Sequence, residues 1–400
     1  MYWPDSTGNG PLLTDLSRRL VSRGHQVTVV CGFPHYGRDE VPQEYRGKWW
    51  LTEQEQGVRI LRVRNYASQN VGRLHKLLGY LLFTVMVVFR GLRTPKMDVI
   101  LAPSPPLSVG LSAWFLGKLK RAPFVYNVQD LFPEAYVELG ALKSPWAIRF
   151  FKFLARFVYS RASRVVCVME SLSRAVAGYG IDAKKIVTIP NWADALEISP
   201  RRRDSDFARE HGLNGQFVVQ YSGNLGMSQR LDLVLECARQ MAEENVHFLL
   251  IGSGAQKRKL AAAIEEGELG NVTLLDTQPR ERLAEVLGSC DVALVPLTAG
   301  MSRTSFPSKI YTIMASGRPM IAALDNGSDP RKFVEECGCG IVIDPDDSGQ
   351  MLAAIRTLKR DAKKAAQMGQ QGRLEVEQRN LREKSLAAYE QVLEEAVAGN

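Results

Sequence analysis

The sequence lacks low-complexity tracts, fixed-period repeats and hydrophobic runs long enough to cross a bilayer. Without a repeat, solenoids and propellers are excluded. An apolar content of 45% with 24% charged residues excludes a fibre or a wholly disordered chain. A largely apolar run covers residues 77–89, and as a helix it would span about 20 Å of the ~30 Å hydrocarbon core. It therefore predicts a core helix or one that lies in a membrane interface.

Cysteine is also scarce, with six in 400 residues, mostly inside apolar runs. So few thiols in so long a chain exclude a disulfide-stapled mini-protein and favour reduced thiols. Residues 1–10 have neither a basic start nor an apolar stretch, so we expect no secretory signal and a cytoplasmic location.

Charge is divided unevenly along the chain. Residues 1–190 hold 26 Lys plus Arg against 13 Asp plus Glu, whereas the remainder holds 25 against 30, within an overall net charge of +8. A strongly basic first half predicts an anionic partner: nucleic acid, a membrane surface or a phosphorylated substrate. No nucleic-acid-reading motif is present, so we expect no nucleic acid.

Short apolar runs alternate with helical patterns along the whole chain, which predicts an α/β fold with two Rossmann-like, doubly wound domains facing each other across a cleft. We expect a first domain at residues 1–190, joined by a C-terminal helix at 378–400, a linker at 191–215, and a second domain at 216–377. Predicted strands cover residues 26–30, 99–102, 124–128 and 164–168, then 217–221, 247–252, 272–275, 292–296, 319–323 and 340–343. The glycine-containing loop comes within ten residues of Met1, so the usual first strand of the N-terminal domain is expected to be missing.

The most informative segment is TSFPSKIYTIMASGRPMIAA at residues 304–323. Phe306, Pro307 and Ser308 form a predicted turn into a helix whose N-terminal amides would suit an anion. Lys309 follows in the first turn of the helix, where a cation is unfavourable unless an anionic ligand or a carboxylate balances its charge. The pattern predicts a phosphate-binding lysine, with a solvated helix lysine as the alternative.

This segment resembles the donor-binding signature of retaining family-four glycosyltransferases of the GT-B fold, which assemble bacterial surface polysaccharides. The resemblance extends over nearly the whole chain. It includes RGHQVTVVCGFPHY (23–36), VQDLFPE (128–134), IPNW (189–192), YSGNLG (221–226) and DVALVP (291–296). The PHY and DLFPE elements look most like the capsule, O-antigen and colanic acid branch that transfers acetamido sugars such as N-acetyl-fucosamine onto lipid-linked acceptors.

The resemblance implies a UDP-sugar donor, no metal and no other cofactor. The residues it assigns to donor binding are Gly223, Asn224, Arg230, Gln278, Arg303, Phe306, Pro307, Ser308, Lys309 and Thr312. The sequence departs from the family where two glutamates are common, since Thr304 and Thr312 stand there, and where an Arg and a Lys are common, since Asn224 and Gln229 stand there. Lys309 would stabilise the leaving diphosphate.

Acceptor-side residues are expected in the first domain. Asp130 and Glu134 follow a predicted strand and would orient the acceptor, although helix capping is an alternative role for both. The loop of Gly8, Asn9 and Gly10 would approach a phosphate or the sugar, or else form a tight turn. His35 would face the substrate after another strand.

A predicted helix at residues 146–161 carries a cationic stripe of Arg149, Lys152 and Arg156 beside aromatic residues. Such a surface suits anionic headgroups, so we expect peripheral attachment to the inner face of the cytoplasmic membrane and a polyprenyl-linked saccharide acceptor. The sequence thus predicts a membrane-associated glycosyltransferase. Two alternatives remain: a non-catalytic nucleotide-sugar-binding protein, and a nucleotide-sugar 2-epimerase of the same fold.

Overall fold

A computed structural model describes residues 2–5, 8–34, 42–64, 73–379 and 381–399. The chain divides into two compact units. Unit 1 comprises Met1–Pro190 and Glu383–Asn400, and unit 2 comprises Asn191–Arg382. Each unit is an α/β structure built on parallel strands, as the alternating pattern predicts.

Unit 1 contains seven strands and seven helices among its described residues. The strands are β1 (Thr28–Gly32), β2 (Trp50–Glu55), β3 (Val58–Val63), β4 (Ile100–Pro103), β5 (Phe124–Val128), β6 (Arg164–Cys167) and β7 (Ile186–Thr188). The helices are α1 (Gly10–Ser22), α2 (Arg73–Leu92), α3 (Ser108–Lys120), α4 (Glu134–Glu138), α5 (Pro145–Arg161), α6 (Glu170–Ala177) and, after unit 2, α16 (Leu381–Ala398).

The strands of unit 1 form two separate sheets. One has the order β1-β3-β2, in which β2 runs antiparallel to β3, and the other is the parallel sheet β4-β5-β6-β7. Within the described ranges, no strand pairs with the second edge of β1 or of β4. Both strands are accordingly only partly buried, whereas β5, with a neighbour on each side, is buried throughout. The absence of the usual first strand of the N-terminal domain stays a prediction.

Unit 2 has one sheet of six parallel strands, and it also contains residues 191–215, which were predicted as a linker. Its strands are β8 (Phe217–Ser222), β9 (Val246–Ile251), β10 (Val272–Leu275), β11 (Val292–Pro296), β12 (Met320–Ala323) and β13 (Gly340–Ile343). Its helices are α7 (Asp206–Glu210), α8 (Leu231–Gln240), α9 (Lys257–Glu266), α10 (Leu283–Gly288), α11 (Met301–Thr304), α12 (Lys309–Ala315), α13 (Asp329–Cys337), α14 (Ser348–Arg360) and α15 (Ala362–Arg379).

The strand order of unit 2 locates its binding edge. The order is β10-β9-β8-β11-β12-β13, so the chain progresses outward in one direction from β8 and in the other from β11. In such a sheet, ligands bind beyond the carboxyl ends of the strands at the point where the order reverses, here between β8 and β11. The loops after these two strands are therefore where a site is expected.

Residues 191–215, predicted as a linker between the domains, instead belong to unit 2. The segment packs as part of unit 2, where Phe207 and Leu213 are fully buried. Arg203 donates from Nε to Asp291 Oδ2 at 3.1 Å, which ties the segment to the strand β11. Six hydrophobic residues of the segment are buried although they form no clear period in the sequence: Trp192, Ala193, Ile198, Phe207, Ala208 and Leu213.

Candidate functional site

The centre of the candidate site is the side chain of Lys309, which begins α12 in unit 2. Its Nζ donates to Gln229 Oε1 at 3.3 Å and lies 3.8 Å from the centre of the Tyr221 ring. It also lies 3.3 Å from the place where a Cβ on Gly223 would stand. The ammonium is therefore directed at the loop that follows β8.

Lys309 has no carboxylate within ion-pair distance in the part of the chain that the structure describes. Burial lowers the pKa of Lys309 to about 7, because removal from water disfavours the charged form. An amide oxygen and an aromatic face compensate a buried ammonium only in part. An anion in this place would restore the charged form, so the arrangement is suited to a phosphate group.

The backbone of the loops beside Lys309 is closely packed. Gly223 has a φ of +147°, and a Cβ on Gly252, in the loop after β9, would lie 1.9 Å from the Gly223 carbonyl oxygen. Only glycine permits this approach. The loop after β8 is further fixed by Tyr221, whose hydroxyl donates to the Asn224 carbonyl at 2.6 Å. Lys309 thus faces a preorganised loop.

Several predicted residues around Lys309 make contacts within unit 2. Phe306 is buried and stacks on Tyr311 with ring centres 5.2 Å apart, so its ring supports the core, and its contact with a donor stays a prediction. The Thr312 hydroxyl donates to the Lys309 carbonyl at 2.9 Å, and the Thr304 hydroxyl donates to the Met301 carbonyl at 3.2 Å. Both hydroxyls are thus used within their own helices.

The predicted donor-binding arginines differ from each other. Arg230 is held by Asp232 and Asp346, so its charge is already balanced by two carboxylates. Arg303 is 65% exposed in its side chain, and its Nε lies 4.0 Å from Asp325 Oδ1. Diphosphate binding by either guanidinium remains a prediction, and for Arg230 it would require displacement of a carboxylate.

The remaining predicted donor residues lie in loops and turns of unit 2. Pro307 and Ser308 are half-buried at the start of α12, and Asn224 is exposed in the loop after β8. Gln278 follows β10, where its side chain donates to the Asp276 carbonyl at 2.9 Å. Gly223 and Asn224 are therefore brought to Lys309, while contact of Gln278 with a nucleotide base stays a prediction.

Sequence reasoning missed two members of this site, Tyr221 and Gln229. Gln229 is buried and accepts from Lys309, although the resemblance noted it only as a departure from the family pattern. Tyr221 stands in the YSGNLG segment and supplies its ring. The signal was a position at the end of a predicted strand for Tyr221, and after that strand for Gln229, beside the switch point of the sheet.

In unit 1, predicted acceptor-side residues meet at Ser104, a residue that sequence reasoning missed. The Asn9 side chain donates to the Ser104 carbonyl at 3.3 Å, and the Ser104 hydroxyl accepts from the backbone N–H of Gln129 at 3.1 Å. Ser104 therefore links the loop of Gly8, Asn9 and Gly10 to the turn that holds Asp130. His35 lies outside the described residues.

The two carboxylates of this region have distinct environments. Burial raises the pKa of Asp130 to about 6, because the charged carboxylate is removed from water. Glu134 is the first residue of α4, and its Oε1 accepts from the Tyr179 hydroxyl at 2.6 Å and lies 3.6 Å from Lys152 Nζ. The other oxygen, Oε2, is buried and has no hydrogen-bond partner among the described residues. Both carboxylates are thus shielded from water, and Lys152 is directed partly at Glu134.

One set of side chains in the described ranges brings three metal-ligating atoms within 4.8 Å of one another: His25, Glu390 and Glu394. Arg23 Nε already lies 3.2 Å from Glu390. None of the predicted site residues belongs to this set. A cation at this surface cluster would compete with the arginine.

Sequence comparison agrees with the division of the chain into two α/β units. Residues 7–192 match the family described as glycosyl transferase 4-like domain, and residues 203–375 match glycosyl transferases group 1. This chain belongs to the glycosyltransferases. Within that family, the chain is 30% identical to the probable glycosyltransferase WbjE of Pseudomonas aeruginosa over 66% of each chain.

Two further similarities extend over more of the chain. The putative colanic acid biosynthesis glycosyl transferase WcaI of Escherichia coli (strain K12) is 25% identical over 89% of each chain. The crystal structure of Anabaena HepE in complex with UDP-glucose has a TM-score of 0.70 at 18% identity, over 98% of each chain. The second similarity shows the fold, which is the GT-B fold predicted from the sequence.

Proposed function

We propose that the protein is a metal-independent retaining glycosyltransferase that moves a sugar, an acetamido hexose, from UDP to a lipid-linked glycan in bacterial surface polysaccharide synthesis. The observation that carries the donor half of this proposal is the half-buried Lys309 ammonium, which faces the Gly223 loop at the switch point of the sheet. A relative named for colanic acid biosynthesis and a fold neighbour crystallised with UDP-glucose support the choice of donor and pathway.

The chemistry at the donor requires little covalent participation from the protein. When the bond between the sugar and UDP breaks, negative charge develops on the leaving diphosphate. An ammonium held in a partly dry site stabilises that charge, and one such group lowers the activation barrier by about 3–4 kcal/mol. Lys309 has this position without a competing carboxylate among the described residues. The departing phosphate oxygen then accepts the proton of the acceptor hydroxyl.

On the acceptor side, Asp130 would orient the attacking hydroxyl. Its carboxylate follows β5, and its raised pKa makes it a good hydrogen-bond acceptor near neutral pH. The linked loop of Asn9 and Ser104 would hold the remainder of the acceptor or its phosphate. Glu134 would act less directly, since Tyr179 and Lys152 already contact it.

The acceptor is proposed to be a polyprenyl-linked saccharide that the protein meets at the inner face of the cytoplasmic membrane. Support comes from the charge of unit 1, where Arg149 and Arg156 are exposed on α5. Among the described helices, none combines the length and the apolar content needed to cross a bilayer. Contact with lipid would therefore be made by a surface of the folded unit.

The test is to incubate the protein with a panel of UDP-sugars, with and without an undecaprenyl-diphosphate-linked saccharide, in EDTA, and to measure UDP release. We expect release that depends on the acceptor, with the anomeric configuration of the donor retained in the product by NMR. Inverted product, a need for metal, or binding of UDP-sugars without turnover would each contradict the proposal. The last result would favour a non-catalytic binding protein, and an epimerised free sugar would favour a 2-epimerase.

Matched variants separate the proposed acceptor role of unit 1 from donor binding by unit 2. Asp130→Asn should lower turnover at least about tenfold while UDP affinity is unchanged, because Asp130 belongs to unit 1. Asp98→Asn, an exposed carboxylate of the same unit, is the control and should behave as the wild type. Equal activity of both variants would remove Asp130 from the proposed acceptor site.

A further inference from the structure

Three helices of unit 1 form one layer, in which α3 packs against both α2 and α5. The Ser112 hydroxyl of α3 is 3.5 Å from the Thr84 carbonyl of α2. On the other flank, Trp114 of α3 meets Phe157 of α5 edge to face, with ring centres 4.9 Å apart. The outer sides of the three helices are therefore neighbours, and we call them the α2–α3–α5 surface.

The α2–α3–α5 surface exposes large apolar side chains from all three helices. Within each helix they are spaced three or four residues apart, so each helix presents an apolar stripe to solvent. These residues are Val85, Phe89 and Leu92 on α2, Phe115 and Leu119 on α3, and Trp146, Phe150 and Phe153 on α5. Trp146 is 75% exposed and Phe153 is 64% exposed. Apolar groups this numerous and this exposed mark a surface for a partner or a membrane.

Charge on the same helices has a single sign. The segments Arg73–Leu92, Ser108–Lys120 and Pro145–Arg161 contain no Asp or Glu. The described cations on these helices and directly after them are Arg90, Arg93, Lys118, Lys120, Arg121, Arg149, Lys152, Arg156 and Arg161. Arg93 stands over the Phe89 ring at 3.8 Å, and Arg161 over the Phe157 ring at 5.5 Å. A cation and an aromatic ring are thus in contact at the ends of both α2 and α5.

This combination selects between possible partners. The core of a protein interface is depleted of charge, and its rim is usually of mixed sign. An anionic bilayer instead presents phosphate groups above hydrocarbon, which matches cations beside exposed tryptophan and phenylalanine. We propose that the α2–α3–α5 surface is a membrane-docking surface that inserts Trp146, Phe150 and Phe153 into an anionic leaflet.

The inference deepens the proposed function, because it names the surface on which a lipid-linked acceptor would be met, and it extends the surface well beyond the cationic stripe of α5. Vesicle binding is measured without donor or acceptor, so docking and catalysis can fail separately. If the protein binds vesicles but transfers no sugar, the docking inference stands and the proposed function falls.

The experiment is co-sedimentation of the full chain with vesicles of phosphatidylglycerol and phosphatidylethanolamine, compared with vesicles of phosphatidylcholine alone. We expect binding to the anionic vesicles that is at least about tenfold tighter, and that weakens with salt. Trp146→Ser with Phe153→Ser should reduce binding about tenfold or more, because two exposed aromatic groups lose their apolar environment. Arg149→Glu with Arg156→Glu should reduce it similarly.

Matched controls use exposed residues elsewhere. Leu196→Ala removes a side chain that is 90% exposed in unit 2, and Lys363→Glu with Lys364→Glu reverses two exposed charges of α15. Both should bind as the wild type, and circular dichroism should show the same fold for every variant. Brominated lipids should quench tryptophan fluorescence in the wild type, and less in Trp146→Phe.

Equal binding of the surface variants and the controls would overturn the inference. So would binding to neither type of vesicle. If sedimentation equilibrium instead shows a dimer that Trp146→Ser with Phe153→Ser dissociates, while vesicles are not bound, the surface joins two copies of the chain and the membrane assignment is wrong.

Discussion

The pKa of Lys309 leads to a prediction about the pH dependence of UDP affinity. Burial lowers this pKa to about 7, so the free protein loses the ammonium as the pH rises above neutrality. A bound diphosphate favours the ammonium and raises the pKa again. At a pH between the pKa of Lys309 in the free protein and its higher pKa in the complex, UDP binding is accompanied by uptake of a proton. UDP affinity should therefore fall as the pH rises, by up to about tenfold per pH unit.

The assay is isothermal titration calorimetry with UDP from pH 7.5 to 9, where the terminal phosphate, with a second pKa of about 6, is already fully ionised. Titrations in buffers of different ionisation enthalpy should show proton uptake that approaches one per UDP. Lys309→Met should bind more weakly at pH 7.5, and its affinity should not change over this range. Lys259→Met, an exposed lysine of α9, should keep the wild-type slope.

Stability gives an independent readout of the same group. A lysine with a lowered pKa binds fewer protons when folded than when unfolded, so its unfavourable contribution disappears as the pH rises above 7. The free energy of unfolding of the wild type should rise from pH 7 to 9 relative to that of Lys309→Met. A UDP affinity that is independent of pH in the wild type, or a slope that persists in Lys309→Met, would refute the reasoning.

Two further predictions concern unit 1. Arg62 is fully buried, and its guanidinium lies 2.5 Å from Glu53 and 2.6 Å from the Trp3 carbonyl. Arg62→Met should lower the free energy of unfolding by about 3–5 kcal/mol in urea titrations, because the Glu53 carboxylate loses its partner. A loss below about 1 kcal/mol would contradict this account. Tyr389→Phe should lower the free energy of unfolding by about 1–2 kcal/mol, because the buried Asn127 side-chain amide donates to the Tyr389 hydroxyl at 2.5 Å. Thermal unfolding monitored with and without UDP should assign this loss to unit 1.

Much of the fold could be predicted from the sequence because most buried strands are short apolar runs with clear ends. The runs at 124–128, 272–275, 292–296 and 340–343 match the observed strands residue for residue. The hairpin of β2 and β3 was missed. β2 alternates exposed and half-buried residues, and β3 contains Arg59 and the buried Arg62, so neither forms a continuous apolar run.

The candidate site was predictable in part. Lys309 could be found because a cation in the first turn of a helix is locally unfavourable, which indicates a ligand. Its contacts with Gln229 and Tyr221 join residues about 80 positions apart, and single-sequence patterns hold no information on such contacts. The same limit hid the pairing of Arg230 with Asp346, which are 116 residues apart. Local chemistry was thus readable, whereas the partners of each group were not.

The final helix, α16, has a consequence for how the chain acquires its structure. Tyr389 and Ser385 of this helix bond to Asn127 and to the Pro190 carbonyl, so residues translated after unit 2 complete the first unit. During synthesis, domains generally fold from the N-terminus onward. Here the later unit, contained within one continuous segment, can mature on the ribosome while the earlier one must wait for the synthesis of α16. A nascent chain halted before α16 should accordingly show protease protection of residues 191–382 first.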